Sequence, residues 1–246
     1  MLSIEANDTL KTLKTMQSPK GELAFKFINP ESAHLCVDFQ ESLSDESKKT
    51  VLMRKVEDYK QASSGLNRLI CVFNENKIVA TSAAVRVNYG EHIRFHESSP
   101  MMEIVKDGNY EFIELSISMV HENFRGFGLQ SLMLQELCER VVKLGERQTQ
   151  IFTAACVLGN CASIKNIMNS GLGLCGSYQL ELNGEQKDIV VFAKHPKPLP
   201  SFKEKEAISE GDAVISDKSF LESYLNKGFM VYSEGTKNDR KYYAVK

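Results

Sequence analysis

The sequence predicts an α/β protein built on a mixed sheet. Three observations carry that expectation. Alternating or continuous apolar segments at 23–28, 69–73, 78–87, 112–120, 151–157, 178–182 and 189–193 read as strands. Segments with apolar residues three and four apart read as helices. The two kinds interleave, as strand, two helices, hairpin, strand, helix, strand, helix and hairpin.

Each element has a local cause. Leu10 and Leu13 fit the start of a helix that Ser18-Pro19-Lys20-Gly21 would break. Asn29-Pro30 supplies an N-cap and a proline at the first helical position, and Cys36, Phe39 and Leu43 line one face after it. Ser44-Asp45-Glu46 opens a second helix, expected to run through Leu52, Val56 and Tyr59 to Ser63-Ser64-Gly65. Asn74-Glu75-Asn76-Lys77 joins the next two strands as a hairpin. Residues 89–109 read as a loop, 127–144 as an apolar helix stopped by Gly145, and 160–170 as a short helix stopped by Gly171. Asn183-Gly184 marks a second hairpin.

Composition sets the class. The 246 residues are 25% charged and 42% hydrophobic, which suits a soluble domain large enough to bury a core without staples. A net charge of -2 lacks the basic surplus of a phosphate-gripping protein, so no nucleic acid is expected as partner. No apolar run approaches the roughly 20 residues of a membrane span, so no membrane is expected either. Residues 1–16 carry Glu5 and Asp8 and no apolar block, unlike a signal peptide. The six cysteines form no CxxC pair and read as reduced core residues, with no metal centre, in a cytoplasmic protein.

The chemistry concentrates where the strand ending at Val120 turns into the long helix. His121-Glu122-Asn123-Phe124-Arg125-Gly126-Phe127-Gly128-Leu129-Gln130 spans that turn. A helix start offers unused N–H groups and partial positive charge, which suits phosphates. Gly126 and Gly128 let the backbone approach closely, and Arg125 can add a charged contact. The same Gly-x-Gly also fits a plain tight turn. It does not match GxGxxG, because Ser131 stands where the third glycine would be.

Arg-Gly-x-Gly-Leu after a strand resembles the pyrophosphate-binding motif of the GNAT superfamily of acetyl-CoA-dependent N-acetyltransferases. Asn160-Cys161-Ala162-Ser163 followed by Gly171-Leu172 resembles that family's later helix. The resemblance spans about residues 21–196 and implies a GNAT-like mixed, centrally splayed β-sheet flanked by helices. It implies acetyl-CoA as acyl donor. Backbone groups of Met119 and Val120 would bond the pantetheine arm, and amides of Arg125, Gly126, Phe127, Gly128, Leu129 and Gln130 would hold the pyrophosphate. Asn160 and Ser163 would contact the cofactor arm, although Asn160 fits an N-cap equally well. Two positions depart from the pattern. Gln130 replaces a small residue, and Ile167 stands where a tyrosine often protonates the leaving thiolate.

Acyl transfer to an amine also needs a base, because a free amine is mostly protonated at neutral pH. Glu114, in an otherwise apolar strand and on one face with Ser116, Ser118 and Val120, is the catalytic candidate. A structural ion pair would explain it as well, and His121 is a rival base. Tyr178 and Tyr89 are candidate acids without a placement. Residues 41–46 and 90–107 are expected to border a small-molecule or peptide amine acceptor. A CoA-binding sensor of the same fold that lost chemistry is the alternative reading.

The organisation expected is an extension at 1–20, the acyltransferase domain at 21–196, and a linker with a small α+β appendage at 197–246. In the appendage, 203–212 reads as linker, 219–226 as helix, and 229–233 and 242–245 as paired strands. Helix, glycine, strand, turn and strand echo the order of 160–193, too weakly for a repeat to be assigned. Phe220, Tyr224, Phe229, Tyr232, Tyr242 and Tyr243 exceed what a solvated tail tolerates. They are expected to pack on the same chain, the alternative being a second copy in a homodimer.

Overall fold

The computed structural model describes residue 10 and residues 12–49, 51, 53–90, 93–107, 110–144, 149–182, 184–194, 205–208, 216–236 and 239–245. The chain divides into two units. The first is Met1–Val85 with Leu115–Leu144, and the second is Arg86–Glu114 with Gly145–Lys246. The expected stop at Gly145, the turn residue Asn183, the loop residues Glu91 and His92, and most of the 197–212 linker lie outside the described residues.

In the first unit, strands β1 (Thr12–Ser18), β2 (Gly21–Phe27), β3 (Arg68–Asn74) and β4 (Lys77–Val87, up to Val85) are adjacent and antiparallel, and β5 (Tyr110–Val120, from Leu115) follows β4. The expected N-terminal helix is therefore a strand. Its residues find partners in the next strand, β2, from Thr12↔Lys26 to Ser18↔Gly21, and this hairpin pairing overrides the weak helical spacing. Leu69, Cys71 and Phe73 point to one side of β3 and pack with Cys36, Phe39 and Leu43 and with Tyr59 and Ala62. Ile70 and Val72 alternate to the other side, are fully buried, and β3 carries α5 (Leu129–Leu144) against it.

Asn29 caps as expected, accepting the Ser32 N–H at 3.0 Å ahead of α1 (His34–Glu41). Ser44 likewise caps α2 (Asp45–Lys48). The expected second helix is split, however, and α3 (Val56–Ala62) begins afresh. Gln40 is the cause. Its buried amide accepts the Arg54 N–H at 2.8 Å, donates to the Arg54 carbonyl at 3.0 Å, and accepts the Tyr59 hydroxyl at 3.1 Å. A side chain thus takes the backbone groups that a helix would have used.

In the second unit, β6 (Thr149–Val157) pairs in parallel with Tyr110–Glu114 of β5 and antiparallel with β8 (Glu185–Ala193). β7 (Gly173–Leu182) pairs with β8 around Gly184. The segment expected as a loop at 89–109 contributes core instead. Ile93 and Phe95 are buried, and Met101 and Ile104 of α4 (Met101–Asp107) pack into the same cluster. The signal was present in Ser99-Pro100, the same cap-and-proline pair as Asn29-Pro30. The Ser99 hydroxyl accepts the Met101 N–H at 3.3 Å.

The C-terminal stretch extends this sheet. β9 (Lys205–Ile208), inside the expected linker, pairs with β11 (Asp239–Val245). β11 pairs with β10 (Met230–Thr236), and β10 with β7 at Val231↔Leu174. The order is β6-β8-β7-β10-β11-β9. Each half is strand, helix, strand, strand, with the last strand lying between the other two and antiparallel to both. Helix α6 (Cys161–Asn169) packs against β10, and α7 (Lys218–Asn226) packs reciprocally against β7. Gly171 and Gly228 end the two helices with φ of 84° and 81°. The echo in the sequence is thus a repeat about an approximate twofold at β7–β10. Phe229, Met230, Val231, Tyr232 and Tyr242 are buried by it. All six cysteines are free thiols.

Candidate functional site

The first unit holds the glycine turn. β5 ends at Val120, and the His121 N–H donates to the Val79 carbonyl at 2.9 Å. A 3-10 turn, Glu122–Phe124, follows. The His121 ring accepts the Asn123 N–H through Nδ1 at 3.2 Å. Arg125 is extended, and Gly126 and Gly128 have φ of 85° and 70°. These values favour glycine strongly. A Cβ on either glycine would meet nothing within 4 Å, so the turn opens on empty space. The bond from the Leu132 N–H to the Gly128 carbonyl, 3.1 Å, is the first of α5. The first N–H groups of an α-helix have no carbonyl of their own helix to bond. Left-handed residues before a helix start form the concave backbone arrangement that binds anions.

The Arg125 guanidinium is engaged. It donates to the Ser47 hydroxyl at 2.7 Å, and that hydroxyl donates to Glu122 Oε2 at 3.3 Å. The Glu122 carboxyl is held below its ordinary range, chiefly by its own backbone N–H and against the effect of desolvation, with help from His121, Ser44 and Ser47. Helix α2 is thereby tied to the glycine turn. His121 Nδ1 also lies 4.0 Å from Glu122 Oε2.

β5 is strained just upstream. Ile117 has φ of 54°, an outlier for a β-branched residue. The Thr81 hydroxyl donates to its carbonyl at 3.1 Å, and the Ser82 and Ser118 hydroxyls bond at 2.6 Å. Strain of this kind persists only where the surroundings over-determine it, and it clusters at functional sites. Nothing in the local residue pattern signals it. Met119 is buried and Val120 half-buried.

The second unit holds the other candidates. The parallel pairing of β5 with β6 stops at Glu114↔Thr153. Glu114 is half-buried. Tyr178 packs against the cluster that contains Phe112, two residues before Glu114. Burial pushes the Tyr178 phenol above its ordinary value, the Glu114 charge adds to this, and Arg94 opposes it. The Tyr178 phenol therefore feels the charges of Glu114 and Arg94, a coupling the sequence left unplaced. Gly176 lets the Arg94–His96 backbone lie against β7. The His96 N–H donates to the Cys175 carbonyl at 3.0 Å, and a Cβ on Gly176 would stand 2.7 Å from the Arg94 carbonyl. Tyr89, Phe95 and Phe112 form an aromatic trio with centroids 5.3–6.0 Å apart, so Tyr89 is a packing residue.

Asn160 caps α6, accepting the Ser163 N–H at 3.2 Å. Ser163 hydrogen-bonds the Cys156 thiol, which burial pushes up to about 12. Ile167 is buried at 3% exposure. Met119, Val120 and Arg125 through Gln130 thus come together in the first unit. Glu114, Asn160 and Ser163 belong to the second, Glu114 acting on the Tyr178 phenol by its charge and Asn160 bonded to Ser163. No group of three potential metal ligands occurs among the described residues, and none of their helices is long and apolar enough to cross a membrane.

No family model and no curated relative matches the sequence. Solved structures do match the fold. The GNAT domain of S. lividans PAT is 17% identical, with a TM-score of 0.50 over 73% of this chain and 96% of that one. Arabidopsis thaliana NAA60 matches in complex with a bisubstrate analogue, at 14% identity and a TM-score of 0.51 over 70% and 96% of the two chains. The same protein in complex with acetyl-CoA matches at 13% identity and 0.51, over 70% and 97%. The chain has the GNAT fold, a mixed, mostly antiparallel sheet flanked by helices.

Proposed function

We propose that this protein transfers an acetyl group from acetyl-CoA to a primary amine by direct attack, with residues 21–196 as the acyltransferase domain. The observation that carries the reading is the turn at Gly126 and Gly128, left-handed at both glycines and open where a Cβ would point. It stands between a strand and a helix of a fold shared with a protein solved with acetyl-CoA.

In this reading the N–H groups from Gly126 to Gln130 hold the pyrophosphate, the Arg125 N–H being donated to the Glu122 carbonyl at 3.3 Å, and backbone groups of Met119 and Val120 pair with the pantetheine amides. The Val120 N–H polarises the thioester carbonyl. Glu114 takes a proton from the ammonium through water, and the freed nitrogen attacks the carbonyl carbon. The C–N bond forms, the C–S bond breaks, CoA leaves as thiolate, and the surplus proton on the nitrogen passes through water to that thiolate. Ile167 cannot donate a proton, but a thiol of pKa about 8.5 leaves only about 1.5 units above neutral pH, roughly 2 kcal/mol at 1.36 per unit. Water can cover that gap. The role of Asn160 and Ser163 toward the donor rests on the resemblance alone.

Calorimetry with CoA, then thiol release from acetyl-CoA over a panel of primary amines, tests the proposal. Micromolar CoA binding and amine-dependent turnover are expected. Absence of CoA binding overturns it. Binding without turnover of any amine favours the second reading, a CoA-binding module, which the buried Ile167 supports.

A further inference from the structure

The N-terminal hairpin, which the proposed chemistry does not use, brings a cation to the glycine turn. Lys14 Nζ lies 3.3 Å from Glu136 Oε2, two turns into α5, so β1 runs beside that helix. Following β1 from Lys14 toward its turn leads to the N-terminal end of α5. There Lys20 Nζ sits 5.5 Å from the centroid of the Phe124 ring, next in sequence to Arg125.

The hairpin turn is fixed. The Ser18 hydroxyl donates to the Gly21 carbonyl at 2.8 Å and accepts the Lys20 N–H at 3.1 Å. The Asn74 amide donates to the Lys20 carbonyl at 3.1 Å and the Glu22 carbonyl at 3.2 Å. Phe124 then seats the ammonium by a cation–π contact. No carboxylate among the described residues forms an ion pair with it. Arg125, the other cation at this turn, donates one guanidinium N–H to the neutral Ser47 hydroxyl at 2.7 Å.

The ligand chemistry that fits a second cation beside a pyrophosphate turn is a further phosphate on the same molecule. CoA carries one, the 3′-phosphate of its ribose. We propose that Lys20 binds this 3′-phosphate, so that the protein distinguishes CoA from dephospho-CoA. The inference rests on the reading of Gly126–Gly128 as the donor's pyrophosphate turn.

Calorimetry on the full chain with CoA and with dephospho-CoA tests it. The wild type binds CoA about three- to tenfold more tightly, as an exposed charge contact allows. Lys20→Met, which keeps the alkyl stack on Phe124, lowers CoA affinity by that factor and leaves dephospho-CoA affinity unchanged. Lys20→Arg retains the preference, and high salt erodes it. An unaltered preference in Lys20→Met overturns the assignment, as does an equal loss for both ligands, which would mean a pyrophosphate contact or a structural role. Failure of the wild type to bind either ligand overturns the donor reading itself, and the inference with it.

Discussion

Gly173 is where the two halves of the C-terminal repeat touch most closely, and Gly173→Ala tests whether they dock as described. A Cβ there would lie 2.4, 2.5 and 2.7 Å from three ring carbons of Tyr232, where ordinary contacts begin at 3.4 Å. The ring would have to retreat by about 1 Å, and little allows it. Tyr232 is 4% exposed, its strand is paired at Val231↔Leu174 on one side, and Tyr232↔Tyr243 pairs it on the other. Gly173 itself lies outside the left-handed region, so alanine adds no backbone strain and the penalty is steric. Overpacking of this kind costs about 1–3 kcal/mol. At about 2–4 °C per kcal/mol for a chain of this size, Tm should fall by about 3–10 °C. Thermal unfolding followed by circular dichroism measures it. Tyr232→Leu makes room, so alanine at 173 in that background should cost clearly less, a coupling that a double-mutant cycle reads directly. A Tm within 1 °C of wild type, or an equal penalty in both backgrounds, would refute the reasoning.

Three further outcomes are expected. Gly128→Val forces a β-branched residue to a φ of 70° and fills the open side of the turn, so CoA affinity should fall at least about tenfold with the fold retained; unchanged affinity by calorimetry removes the phosphate assignment. Glu114→Gln should lower turnover about 10²-fold with little change in acetyl-CoA affinity, and wild-type turnover at pH 7 would take Glu114 out of the mechanism. Because the Glu114 charge helps hold the Tyr178 phenol above its ordinary value, Glu114→Gln should also move that ionisation to lower pH. Phenolate absorbance, with Tyr178→Phe subtracted, reads the shift, and an unmoved or upward titration contradicts the charge coupling of the two residues.

What was legible in the sequence was what short-range bonding dictates. Asn29, Ser44, Asn160 and their helices were readable because a cap bonds three residues ahead. The turn at Gly126 and Gly128 was readable because left-handed backbone favours glycine. Ser99-Pro100 was as readable as Asn29-Pro30, and helix α4 could have been found from it. The echo between 160–193 and the tail hinted at the repeat, but a twofold exists only once β7 and β10 pair.

The sequence by itself determined the alternation of strands and helices, the caps and the glycine turn, since each depends on neighbours within a few residues. Tertiary structure decided the rest. It made a strand of 12–18 and of 205–208, because β2 and β11 offered them partners. It broke the second helix through Gln40, and sent the Arg125 side chain to Ser47, 78 positions away. It set Ile117 in a conformation its own side chain disfavours, and brought the Glu114 charge within reach of the Tyr178 phenol. Where a partner strand or a side chain from another element supplies the bond, it outweighs a local preference of a kcal/mol or so, a size on which sequence pattern alone gives no purchase.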